Sequence, residues 1–322
     1  MFPVRVLALV VMAVVLAGGW AAAFVMWRAA EIGEIVGPVE PRDFETLTVV
    51  NVGTGGKYEN PERLGPSTAV GLGDRIWLVD AGRGLAPALR IARIPVAQPS
   101  AVVLTHLMPD NLLGLGDLLY TGLLTGRETP IRVYGPVGTA AAVEGLELHL
   151  GPGLDALAES LGLPRAGAGI EAIEARDGFE LETNGVLLRA AELPGGPLPA
   201  LAWRFEAGGR AVVVSGTGWG VDALVDLAHG ADMLVHDGAY IPPTEDLEPA
   251  GVVADADRLA REAAISTPLL EVGKFATRAG VPTLMLIRLR PPPFFDLQVR
   301  SIVANEFSGT ILVPEDGEEH AL

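Results

Sequence analysis

The chain has 322 residues, 49% of them hydrophobic, and a formal net charge of −17. That length and apolar content suffice for one large domain with a full core. Without cysteine there are no disulfides or thiolate metal sites, so any metal would rest on carboxylates and the five histidines. The acidic balance argues against a nucleic-acid partner, which asks for clustered Lys and Arg.

Val6 to Trp27 carries no charge and is long enough to cross a bilayer, which takes about 20 apolar residues. Ala21-Ala22-Ala23 has the look of a signal-cleavage site, but Phe24 to Trp27 continues the apolar run beyond it. Residues 1–30 therefore read as a transmembrane anchor, with a cleaved signal segment as the other reading. Residues 31–45 read as a linker and residues 46–322 as one domain. Arg5 precedes the apolar run, while Glu31 and Glu34 follow Arg28. This places the N-terminus in the cytoplasm and the domain of a single-pass protein on the extracytoplasmic side.

Thr46 to Val52 is a predicted strand, followed by Gly53-Thr54-Gly55-Gly56. That loop lacks both the Lys-Ser/Thr of a P-loop and GxGxxG spacing, so it reads as a turn. Thr68–Leu72 and Arg75–Val79 form a hairpin about Gly73-Asp74, closed by Asp80-Ala81-Gly82. A helix over Leu85–Ile94, a strand over Val102–Leu104 and a helix over Asn111–Leu124 follow. Next come a strand over Ile131–Tyr134 and helices over Val137–Leu148 and Leu154–Leu161. Residues 170–201 read as short strands with turns at Asp177-Gly178 and Asn184-Gly185, and Trp203–Ala207 pairs with Arg210–Val214 across Gly208-Gly209. The remainder alternates: helix from Val221, strand Met233–Val235, helix Leu269–Arg278, strand Thr283–Ile287, helix Phe294–Glu306, strand Thr310–Val313. This is an α/β pattern of two sheets packed face to face with helices outside.

The stretch from Leu104 to Leu115, Leu-Thr-His-Leu-Met-Pro-Asp-Asn-Leu-Leu-Gly-Leu, lies at the end of a buried strand, where a hydrolytic metal site would sit. It resembles the first metal motif of the metallo-β-lactamase superfamily, His-x-His-x-Asp-His. His106 and Asp110 match, whereas Met108 and Asn111 stand where histidines are needed. Further phrases extend the resemblance from Thr46 to Pro314. They include Asn51-Val52-Gly53-Thr54-Gly55-Gly56, Leu78-Val79-Asp80-Ala81-Gly82, Val133-Tyr134-Gly135-Pro136, Val214-Ser215-Gly216 and Val235-His236-Asp237. The branch they resemble is that of the tRNA 3′-processing endonucleases and arylsulfatase-like proteins.

That resemblance implies an αββα sandwich with two zinc ions held at one edge of the sheets. On it, Gly195, Thr217 and Arg288 also stand at ligand positions, so five of seven are substituted: Met108, Asn111, Gly195, Thr217 and Arg288. His236 and Asp237 keep the His and acid of a His-Glu-Ala-Thr phrase, while Ile265 replaces the histidine that would protonate the leaving group. The expectation is a pseudoenzyme: a membrane-anchored, non-catalytic binding or assembly module with a degenerate metal site. Such a module has no cofactor and no nucleic-acid partner, and works with a membrane-associated protein or a second copy of itself. A small-molecule receptor at the membrane is not separable from it. The alternative is a metal-dependent hydrolase of esters or phosphodiesters with zinc at an atypical, reduced site. His106, Asp110, His236 and Asp237 are vestigial catalytic residues on the first reading. Arg288 is expected to fill the emptied site and pair with Asp110. The apolar run Pro291-Pro292-Pro293-Phe294-Phe295 is a candidate contact patch.

Overall fold

The structure, a computed structural model, describes residues 4–57, 60–216, 221–240, 261, 265–290 and 296–322. It divides into two units, residues 1–40 and 41–322. The first holds helix α1 (Val4–Val36). Its Val11–Gly33 portion has the length and composition to cross a membrane and is not buried against protein. The helix runs into the range read as linker, because no breaker occurs before Gly37-Pro38; the Gly37 amide donates to the Gly33 carbonyl at 2.7 Å.

The second unit is a sandwich of two seven-stranded sheets. In chain order the elements of the first are β1 (Phe44–Gly53), β2 (Ser67–Gly73), β3 (Arg75–Val79), α2 (Leu85–Ile91), β4 (Ala101–Val103), α3 (Pro109–Leu112), α4 (Leu115–Leu124), β5 (Ile131–Gly135), α5 (Thr139–Leu161) and β6 (Ile170–Glu174). The chain then passes to the second sheet with β7 (Glu180–Thr183), β8 (Val186–Glu192), β9 (Leu201–Ala207), β10 (Arg210–Ser215), α6 (Val221–Ala228), β11 (Met233–Ala239), α7 (Leu269–Ala279), β12 (Thr283–Arg290), α8 (Asp296–Val303) and β13 (Thr310–Leu312). A last strand, β14 (Glu319–Ala321), returns to the first sheet beside β1, giving the orders β14-β1-β2-β3-β4-β5-β6 and β13-β12-β11-β10-β9-β8-β7.

Three apolar layers hold this together. Leu47, Val49, Val70, Trp77, Trp203, Phe205, Val212 and Met285 fill the space between the sheets. Val50, Val52, Leu78 and Val102 point the other way, under α2, α4 and α5. Val213, Leu234, Leu284 and Leu286 pack under α6, α7 and α8. Successive strand residues face opposite sides, so strands covered on both faces read as unbroken apolar runs. The expected αββα architecture is the one observed.

Local differences have local causes. The helix expected over 111–124 is two pieces, α3 and α4, divided at Leu113-Gly114; the Gly114 backbone lies so close to Gly82 that a Cβ there would sit 2.0 Å from its carbonyl oxygen. The two helices expected around Pro152 are one, α5. Proline restricts the residue before it, and that residue is Gly151, which tolerates it. Asn184-Gly185 and Gly208-Gly209 turn hairpins with φ of 50° and 77°, and of 59° and 78°, the twist that joins antiparallel strands tightly.

Candidate active site

Strands β3, β4 and β5 run parallel, so their C-terminal ends and following loops meet at one edge of the sandwich. Asp80 follows β3, and Thr105 and His106 follow β4. From the other sheet, Gly216 follows β10, His236 and Asp237 lie in β11, and Arg288 and Arg290 end β12. The two halves are stitched together here. The Leu201 amide donates to the Thr105 carbonyl at 2.7 Å, and Trp203 Nε1 donates to the Leu104 carbonyl at 2.9 Å.

A small cavity of about 60 Å³ at this edge is lined by Gly56, Lys57, His106, Met108, Asp110, Gly216, Ile265, Arg288 and Arg290. It thus unites five of the residues singled out from sequence: His106, Met108, Asp110, Ile265 and Arg288. Asn111 is fully buried beside them. Gly195 does not line it; it sits in the exposed loop between β8 and β9, at φ 105°. Thr217 and residues 291–295 lie outside the described residues.

The centre of the site is a buried polar cluster around Asp80. Its carboxylate accepts the Thr105 amide at 2.8 Å and the Thr105 hydroxyl at 2.8 Å, and forms an ion pair with Arg288 Nη2. Arg288 Nη1 donates to Asn111 Oδ1 at 2.8 Å. Asn111 Nδ2 in turn donates to Thr105 Oγ1 at 3.1 Å and to His106 Nδ1. Arg288 therefore does turn inward and occupy the site, but its carboxylate partner is Asp80, not Asp110 as expected. Asp80 reaches it because β3 lies next to β4, while Asp110 sits in the first turn of α3. Backbone strain marks the same pair: Asp80 has φ 64° and Arg288 φ 55°, both left-handed. Asp tolerates that region; Arg does so only when its surroundings compel it. Gly216 is needed for the approach, since a Cβ there would lie 2.4 Å from Thr105 Oγ1.

Burial, seconded by the Arg288 cation, lowers the His106 pKa below its ordinary value. The imidazole is therefore neutral at pH 7, with Nδ1 accepting from Asn111. A second cluster lies deeper. Asp237, itself buried, is held by the Thr267 hydroxyl at 2.9 Å, His236 Nδ1 at 3.1 Å and Arg290 Nη2 at 3.1 Å. Burial works to raise its pKa, but these donors outweigh it and hold the carboxyl below the usual range. Sequence reasoning missed Asp80, Thr105 and Arg290. The signal for Asp80 was present, an aspartate at the C-terminal end of a buried strand one β-neighbour away from His106.

Zinc takes about four N, O or S ligands. Among the described residues no group of three or more His, Cys, Asp or Glu could hold a metal ion. His106 and Asp110 are the two family-type donors at the cavity, and a fixed cation, Arg288, shares it with them. The residues present do not fit a zinc pair.

A family model described as the beta-lactamase superfamily domain matches residues 75–287. The ribonuclease Z of Mycobacterium bovis (strain BCG / Pasteur 1173P2) is 34% identical over 279 residues, covering 84% of this chain and 96% of that protein. Among solved structures, the metallo-β-lactamase fold protein YhfI from Bacillus subtilis superposes with TM-score 0.65 at 18% identity, over 85% of this chain and 99% of that one. Zn(2+)-bound PqqB from Methylobacterium extorquens gives 0.61 at 17% identity, over 86% and 100%. These findings correct three expectations. The non-catalytic binding or assembly module gives way to the hydrolase reading, because the sequence relatives carry an enzyme's name along nearly their whole length. The expectation of no cofactor was a corollary of the non-catalytic reading and falls with it. The exclusion of nucleic acid conflicts with relatives named for a ribonuclease; net charge averages over a whole surface, whereas this cavity is lined by Lys57, Arg288 and Arg290. The chain belongs to the metallo-β-lactamase superfamily, in the tRNA-processing branch that holds the ribonuclease Z proteins.

Proposed function

We propose that this chain is a hydrolase of RNA phosphodiesters working at the strand-end cavity with a reduced donor set, a variant of its relatives' activity. The observation that carries this is the 34% identity to a ribonuclease Z over 96% of that protein's length. The cavity's own chemistry supports a phosphate ligand. Guanidinium groups match phosphate oxygens in charge and fork geometry. Arg288 and Arg290 both line the cavity, and the Nε of each is buried without a hydrogen-bond partner among the described residues. Their ion pairs with Asp80 and Asp237 fix the two guanidiniums in place, so a phosphate meets donors already oriented. His106, neutral and held at Nδ1 by Asn111, is an imidazole whose direction is likewise set in advance.

We propose further that α1 anchors the chain in a membrane. An RNA substrate asks for the reverse of the extracytoplasmic placement expected from the acids that follow Arg28, a body on the cytoplasmic side. The count of cations agrees with that: orientation follows Lys and Arg while acids contribute little, and Arg28 and Arg42 follow the apolar run where Arg5 precedes it.

The test uses the full chain in detergent and a precursor tRNA bearing a 3′ trailer, incubated with added zinc and with chelator. Endonucleolytic removal of the trailer is expected, reduced at least 10-fold in Arg290→Ala. Intact precursor under every condition, with the protein folded by circular dichroism, sinks the proposal.

A further inference from the structure

A second and much larger cavity, about 610 Å³, opens at the opposite end of the first sheet. It touches the first residues of the parallel strands, Arg75, Ala101 and Ile131, whereas the site above lies past their last ones. At about 3.3 Å per residue, a five-residue strand separates the two by roughly 15 Å. The volume falls in the range of small-molecule sites, about 300–1,000 Å³.

Its chemistry turns on Arg127. This residue follows α4 and is buried, with 5% of its surface exposed. Among the described residues it has no carboxylate partner. Nη1 donates to the Leu118 carbonyl at 3.3 Å and Nη2 to the Val96 carbonyl at 2.5 Å. Among the described residues these two bonds are the ones its guanidinium makes, fewer than the N–H donors it carries. Burial lowers its pKa to about 10, which still leaves it charged at neutral pH. A buried charge without a counter-ion is costly. Carbonyl capping of the preceding helix accounts for the orientation of the guanidinium, but a neutral donor would serve there as well.

The other charges at this cavity are already balanced. Arg132 pairs with Glu171 at 3.2 Å and Arg75 with Asp74 at 3.3 Å, both pairs exposed. Arg127 is thus the excess positive charge of a pocket that also offers Thr129 and Asn184. We propose that this cavity binds a small phosphorylated molecule of mononucleotide size, the phosphate held by Arg127 inside and Arg132 nearer the surface. Nothing in the strand-end site takes part, so this stands apart from the hydrolase reading.

The experiment is titration calorimetry of the full chain in detergent with adenosine 5′-monophosphate. Saturable binding at one site per chain is expected. Adenosine without its phosphate should bind at least about 10-fold more weakly, and inorganic phosphate should compete. Arg127→Gln should weaken binding about 10-fold or more, and Arg132→Ala, an exposed change that leaves folding intact, by a few-fold. Absence of saturable binding overturns the proposal. So does binding unchanged in Arg132→Ala and in a folded Arg127→Gln. Binding lost in Arg290→Ala but kept in Arg127→Gln would place the nucleotide in the strand-end cavity instead, and equally overturn it.

Discussion

Replacing Arg288 with methionine is expected to destabilise the protein by about 3–5 kcal/mol, the usual effect of removing one partner from a buried ion pair. For a domain of this size that corresponds to a fall in Tm on the order of 10 °C. The Asp80 carboxylate would be left with the Thr105 amide and hydroxyl but no cation, in surroundings that exclude water. Asp80→Asn should do comparable harm from the other side, stranding the guanidinium. Asparagine is the right probe because it accepts the left-handed backbone at position 80, φ 64°. The double variant, with neither charge, should recover a good part of the loss, since the penalty of each single change lies in the group left behind. Thermal unfolding of the four proteins decides this. Strict additivity, or single effects below about 1 kcal/mol, would mean that the pair is incidental to stability.

Trp203→Ala should cost about as much, roughly 3–5 kcal/mol, as large core truncations do. Trp203 is fully buried in the layer between the sheets, edge-on to Phe179 at 5.9 Å between ring centroids. Its indole N–H also holds the Leu104 carbonyl of the strand that delivers Thr105 and His106. Trp203→Phe separates the two roles. It keeps most of the apolar contact but leaves a buried carbonyl unpaired, so about 1–3 kcal/mol is expected. Denaturant unfolding measures both, and a loss for the alanine variant no greater than for phenylalanine would show that packing matters less here than the hydrogen bond.

Much of this fold was legible because strands covered on both faces must be apolar throughout, and Val102 to Leu104 or Leu284 to Ile287 admit no other reading. The strand-end positions of His106, Met108, Asp110 and Arg288 followed from the same logic, and they share one cavity. Which carboxylate Arg288 would reach did not follow. That depends on β3 lying beside β4 and on two residues held at positive φ, neither of which leaves a mark in composition. Strand β14 was missed for a related reason: Glu319-His320-Ala321 has no apolar pattern, and only pairing with β1 makes it a strand. The functional misreading had a different origin. The substituted ligand positions, read one by one, were taken to exclude activity, and a net charge of −17 was weighed over the whole chain, whereas a site is decided by the few groups that face it.

The return of β14 to β1 also bears on how such a protein is made. Asn51 Nδ2 donates to the Glu318 carbonyl, a partner 267 positions away, and Asp316 holds the Thr54 amide at 2.7 Å in the loop that follows β1. During translation, at about 5–20 residues per second, β1 would wait over ten seconds for this neighbour, with a row of unsatisfied amides exposed. A nascent chain in that condition is a natural client for a chaperone that shields strand edges.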